Sequence, residues 1–218
     1  MTISATLHTV RPGQPAPFFE LPKVDGSGSV SLGDYQGRTS LFLALFIGLW
    51  CPFCRRAIAQ LALSEPALKE SGVETLCVVA TSPENAGLYF KFRPNSLRVA
   101  ADPTLSTHQA YGVPKPVPTP ELMSELERVR INPDGMFAQP LPVSEAAVEA
   151  ARLDGYQETA VDRTDVEHQW PQLKGQFMID KDCVVRWTNI ECADEGLAGL
   201  GKFPSTEAIL RAARTTLA

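Results

Sequence analysis

Residues 41–63 read LFLALFIGLW, then CPFC, then RRAIAQLAL. The first ten are all apolar or glycine. That is too short a run to cross a membrane as a helix, which takes ~20 residues. It suits a strand buried on both faces of a parallel sheet, although a buried helix would have much the same composition. Pro52 decides between them. Proline is favoured in the first turn of a helix and disfavoured in its interior. A helix therefore starts at Pro52, and the preceding run is a strand.

Cys51 then stands at or beside the N-cap. The first N–H groups of the helix, near Phe53 and Cys54, have no backbone partners and point at its sulfur. Together with the helix dipole they favour an anion, and the thiolate is the nucleophilic form of cysteine. Such a position lowers a cysteine pKa from ~8.5 into the range ~3.5–7.5. Cys54 is three residues on, one turn along the same face and within ~5–6 Å, a separation that a disulfide spans. Cys51 is thus the expected nucleophile and Cys54 the expected resolving thiol. A C-x-x-C pair at a strand-to-helix junction is a redox signal. The alternative is half of a zinc site. Zinc takes four ligands, and the chain has no second C-x-x-C and no H-x-x-x-H pair.

The 218 residues, with a net charge of −5 and five cysteines, are ample for one sizeable core. We expect a single domain over 1–218. The negative charge argues against non-specific nucleic-acid binding, which needs a basic footprint. The N-terminus has no basic start followed by an apolar core, as a signal peptide would, and no apolar run is long enough to span a membrane. The expected location is cytoplasmic. An odd, widely spaced set of cysteines does not resemble a secreted disulfide framework.

Outward from the central stretch, residues 1–17 read as a polar arm. Residues 18–21 and 29–32 flank the turn Asp25-Gly26-Ser27-Gly28 and predict a short hairpin. After Leu63, Ser64 is expected to cap a second helix with Pro66 in its first turn, ending at Gly72. Residues 73–80 predict a second buried strand, with Cys77 as a small hydrophobe inside it. Ser82-Pro83 opens a helix that stops before Pro94. A short strand over 97–100 and a short helix ending at Tyr111-Gly112 follow. Alternating strands and helices imply a parallel α/β sheet. Residues 114–172 break that rhythm. Prolines, the helical stretch ELMSELERVRI, an Asn132-Pro133-Asp134-Gly135 turn and a helix capped by Ser144 read as a mainly helical insertion. A hairpin over 175–188 follows, its second strand half-exposed. After a glycine-bearing loop, Ser205 caps a last helix with Ile209, Leu210, Ala213 and Leu217 on its apolar face.

This ordered set resembles a thioredoxin fold of the peroxiredoxin type, the AhpC/TSA family. The residues that carry it are Ala16-Pro17-Phe18-Phe19-Glu20-Leu21, Val30-Ser31-Leu32, Gly37, Trp50-Cys51-Pro52-Phe53-Cys54-Arg55, Asp102-Pro103, Tyr111-Gly112-Val113, and Gln176-Phe177-Met178-Ile179-Asp180 before Val184-Val185-Arg186. The resemblance implies a central mixed sheet flanked by helices, with the insertion placed before the last two strands. C-P-F-C also resembles the active-site turn of glutaredoxins. Two departures stand out. The peroxiredoxin pattern P-x-x-x-T-x-x-C would place proline at Ala44 and threonine at Gly48. The family arginine ahead of the F-v-I-D strand is Lys174, which keeps the charge but not the planar fork of donors. In addition, Gly175-Gln176 stands where thioredoxin-like reductases carry a cis-proline.

The expected activity is thiol–disulfide oxidoreduction by the Cys51–Cys54 dithiol on disulfides, with peroxides as a further substrate. A thioredoxin-like or glutathione system would re-reduce it. Trp50, Arg55 and Lys174 are the expected substrate-binding residues. Trp50 would wall the thiol from water, and Arg55 would stabilise the thiolate or take a substrate carboxylate. The other readings are a true thiol peroxidase and a non-enzymatic sensor switched by the disulfide. Cys192 is a candidate third redox thiol, Cys183 reads as incidental, and His8, His108 and His168 read as surface residues. No metal or cofactor is expected. A homodimer is among the expected partners. The insertion is expected to lie beside the dithiol as a lid or interface, since connections at the carboxyl ends of parallel strands cover the functional edge.

Overall fold

The computed structural model describes residues 9–216; His8 and Leu217 lie outside them. In chain order the elements are β1 Glu20–Pro22, β2 Ser29–Ser31, β3 Ser40–Phe46, α1 Pro52–Glu70, β4 Val73–Val79, α2 Pro83–Phe92, β5 Arg98–Ala101 and α3 Ser106–Ala110. They continue with α4 Pro120–Arg128, β6 Arg130–Ile131, β7 Leu141–Pro142, α5 Val143–Asp154, α6 Ala160–Gln169, β8 Gly175–Ile179, β9 Val185–Ile190 and α7 Thr206–Ala213.

The main sheet has the order β5-β4-β3-β8-β9. β3 pairs with β4 in parallel and β4 with β5 in parallel, while β3–β8 and β8–β9 are antiparallel. Every residue of β3 is buried, as a central strand covered on both faces must be. Its alternation divides two cores. Phe42, Ala44 and Phe46 pack on one side with Leu61 of α1, Ala146 of α5 and Ile209 of α7. Leu41, Leu43 and Leu45 pack on the other with Val30, Tyr111 and Phe177. The strand stops at Phe46, and residues 47–50 leave the sheet as a turn into α1.

Most expected elements are present, including the hairpin β1–β2, the caps Ser82 and Ser205, and the half-exposed edge strand β9. Two local expectations are corrected. First, Ser64 caps no second helix, because α1 runs unbroken from Pro52 to Glu70 with Pro66 inside it. The Ser64 hydroxyl donates back to the Gln60 carbonyl at 3.1 Å and meets Thr206 Oγ1 at 2.7 Å. That tie to α7 and the burial of Ile58, Leu61 and Leu68 outweigh the proline's missing N–H. Second, Ser144 lies inside α5, whose N-cap is Pro142. In keeping with a mainly helical insertion, the chain after Gly155 forms a further helix, α6. Thr159 accepts from the Asp162 N–H, and Asp162 accepts from the Thr159 N–H, a reciprocal capping box. The insertion thus carries α4, α5, α6 and the small β6–β7 pair. No helix among the described residues is long and apolar enough to cross a membrane.

Candidate active site

Cys51 is the N-cap of α1. Its backbone is extended, its Sγ accepts the Cys54 N–H at 3.3 Å, and Pro52 fills the first helical position. An orphan donor of the helix end therefore points at the sulfur. Both thiols are free. Cys51 is only 6% exposed and Cys54 is 0% exposed, so the nucleophile is more sheltered than its place at a helix start suggests. Burial pushes the Cys51 thiol up, but a hydrogen bond from the Cys54 side chain and the charge of Lys174 outweigh it and leave the thiol below its ordinary value. Burial pushes Cys54 well up, and its bond to Cys51 and the charge there push it further. One thiol is poised to ionise and its neighbour to hold its proton.

Lys174 precedes β8 and is 1% exposed. Its Nζ lies 2.9 Å from Glu191 Oε1. Burial lowers the lysine, and Glu191 and the two thiols more than restore it, so it stays charged. Glu191 is fixed in turn by the Lys174 and Gly201 N–H groups at 3.2 and 2.8 Å. A Cβ on Gly201 would stand 3.0 Å from the Phe53 ring, which places the loop after β9 against the start of α1. A cleft of about 180 Å³ opens in that loop, lined in part by Glu191, Cys192, Lys202 and Phe203. Cys192 is buried with a φ of 66°, and burial pushes its thiol up to about 12.

Arg55 has partners other than those expected. It is buried, donates to Asp154 Oδ2 at 2.6 Å, to Leu49 O at 2.6 Å and to Trp50 O at 3.1 Å, and lies 4.3 Å over the Tyr156 ring. These contacts bind the insertion to the turn before Cys51 and leave the guanidinium turned to protein, away from an incoming carboxylate. Trp50 is half-buried beside the turn, and its indole N–H donates to Gln169 Oε1 at 2.8 Å. The same oxygen accepts the Gly48 N–H at 2.6 Å, and Gln169 Nε2 donates to the Ala80 carbonyl. The space over Gly48, where a peroxiredoxin threonine would stand, is thus filled by Gln169. The Trp170–Pro171 peptide that follows is cis, a few residues ahead of the Gly175-Gln176 position. Sequence reasoning missed Gln169 and Glu191. Neither sits in a motif; only an unbroken polar side chain in each buried junction could have pointed to them.

The AhpC/TSA family profile matches residues 12–188. The chain belongs to the AhpC/TSA family. The thiol-disulfide oxidoreductase ResA of Halalkalibacterium halodurans is 34% identical over 131 residues, which cover 59% of this chain and 72% of that protein. Two solved structures share the fold. The reduced 2-Cys peroxiredoxin of Plasmodium vivax has a TM-score of 0.58 at 18% identity, covering 93% of this chain and 80% of that one. A thiol:disulfide interchange protein DsbE from Chlorobium tepidum has a TM-score of 0.54 at 18% identity, covering 96% and 100%. The expected thioredoxin-like α/β architecture and thiol-dependent oxidoreductase class stand on this membership.

Proposed function

We propose that this AhpC/TSA protein exchanges disulfides through Cys51 and Cys54. The observation that carries the reading is the contrast between the two thiols, with Cys51 as a helix N-cap held below its ordinary pKa beside Lys174 and Cys54 held above it. The Cys51 thiolate attacks a substrate disulfide. A sulfur–sulfur bond forms to Cys51 and the substrate's own bond breaks, releasing one substrate thiolate. Cys54 then loses its proton to solvent or to the departing thiolate and attacks Cys51. The second substrate thiol leaves, and two electrons have passed from the dithiol to the substrate. A thioredoxin-like protein or glutathione reverses these bonds and restores the dithiol.

Disulfides are the preferred substrate and peroxides a minor one. Gly48 offers no hydroxyl to a peroxide, and one preorganised donor is worth ~10²-fold or more. Steady-state turnover of a small disulfide against hydrogen peroxide, with Cys51→Ser as the blank, tests this. Disulfide turnover far above peroxide turnover is expected. Peroxide rates typical of a dedicated peroxidase would overturn the preference, and a single stoichiometric reaction with no turnover would favour a sensor. In Cys54→Ser the mixed disulfide on Cys51 should persist and be trapped by mass mapping; first reaction at Cys54, Cys77 or Cys192 would reverse the roles. The cytoplasm remains our proposed compartment, on the cysteine usage, and fractionation of the tagged full chain tests it.

A further inference from the structure

We propose that Gln169 is a positioning residue for the dithiol, by which the insertion holds the turn that presents Cys51. The inference rests on disulfide exchange as the reaction, but its geometry stands apart from turnover. Gln169 ends α6 and is 1% exposed. One oxygen takes two donors from the turn, the Gly48 N–H and the Trp50 indole N–H, while the amide nitrogen reaches the Ala80 carbonyl just beyond β4. The Gly48 carbonyl in turn accepts the Cys51 N–H at 3.2 Å. A line of bonds therefore runs from the insertion through one residue to the nucleophile.

Two further observations mark the contact as specific. A Cβ on Gly48 would stand 2.5 Å from Gln169 Oε1 and 2.5 Å from Trp50 Cδ1, so glycine at 48 and glutamine at 169 are matched. The site also needs an acceptor at one end of the side chain and a donor at the other. An amide provides both, as does a protonated carboxyl, whereas an aliphatic side chain or a carboxylate does not. Arg55 holds the Leu49 and Trp50 carbonyls of the same turn and pairs with Asp154 of α5. The turn's donors and its acceptors are thus both held by contacts that end on the insertion.

The test is iodoacetamide alkylation of Cys51 against pH, read by mass mapping on the full chain, for wild type, Gln169→Leu and Gln169→Glu. Loosening the turn weakens the N-cap geometry that favours the Cys51 thiolate. Since one unit in pKa is about tenfold in thiolate below the midpoint, Gln169→Leu should raise the alkylation midpoint and slow alkylation by about tenfold at a fixed pH below it. In Gln169→Glu the introduced carboxyl can donate to Ala80 O only while protonated. Position 169 is buried, and burial lifts a carboxyl from ~4.3 to about 6–7. The variant's rate relative to wild type should therefore be near unity at about pH 5 and fall at least about tenfold by about pH 8 as that proton is lost. Both variants staying within twofold of wild type at every pH, whatever their unfolding midpoints, would overturn the proposal. If Gln169→Leu does not fold, the Gln169→Glu ratio at the two pH values decides alone. Failure of the wild type to turn over disulfides would sink the reaction assigned above, while the alkylation comparison would still judge Gln169.

Discussion

Replacing Lys174 by methionine keeps much of the volume and deletes the charge that acts on both thiols. An opposite charge close to an ionising group lowers its pKa by about 1–3 units. The midpoint of Cys51 alkylation against pH should rise by a shift of that order in Lys174→Met. The variant should also lose about 3–5 kcal/mol of stability, because Glu191 is left buried without its partner. Lys174→Met combined with Glu191→Gln should recover most of that stability and keep only part of the raised midpoint, because the Glu191 charge that raises the Cys51 thiol is removed too. An unmoved midpoint in both variants would remove Lys174 from the thiol's electrostatics. Gly48 carries a second prediction at this scale. Gly48→Thr should fail to create a fast peroxidase and should cost about 1–3 kcal/mol by overpacking, because its Cβ falls on Gln169 and Trp50. Stopped-flow oxidation by hydrogen peroxide checks the first outcome and urea unfolding the second.

Helix α1 shows why some of this protein is legible in its sequence and some is not. Its start is written locally, in Pro52 after an apolar run, and the redox pair follows from that start. Its middle is not. Ser64 and Pro66 carry the signature of a new helix, yet the contacts that keep one helix going come from α7 and the sheet. Local signals fix caps and turns, whereas tertiary packing decides continuity. The same division runs through the site. The position of Cys51 and Cys54 at the helix start is readable from the motif, whereas Lys174, expected to bind substrate, is buried against Glu191, and the partners of Arg55 and the place of Gln169 depend on how the insertion folds back. A proline inside a helix costs up to about 3 kcal/mol. Pro66→Ala should therefore raise the urea midpoint of unfolding by a stabilisation up to that size, with the dithiol's reactivity unchanged. A destabilised Pro66→Ala would mean that the proline makes packing contacts worth more than the helix bond it removes.

Across the whole molecule, acid stability should turn on His108, which the sequence pattern places at the surface and the fold buries completely. It is 0% exposed in α3, neither ring nitrogen has a hydrogen-bond partner among the described residues, and burial, partly offset by Asp102, holds its pKa down to about 4. An unfolded histidine titrates near ~6.5. Between those values the unfolded chain binds a proton that the folded chain refuses, so folding stability is complete above ~6.5 and falls as the pH drops towards 4. The full loss is about 3 kcal/mol. Asp102 cannot produce this slope. Burial raises its carboxyl, but the Thr107 N–H and neighbouring hydroxyl bonds outweigh that and hold it below its ordinary range, so its loss comes at lower pH. Asp134 and Asp165 have carboxyls that burial pushes up, and they act in the opposite sense by taking protons more readily when folded. Subtracting a His108→Leu variant from wild type cancels those terms. Urea unfolding of both proteins from about pH 4 to about pH 8 should show a stability difference that shifts by about 3 kcal/mol in favour of His108→Leu as the pH falls. A difference that stays constant with pH would show that His108 does not set the acid limb.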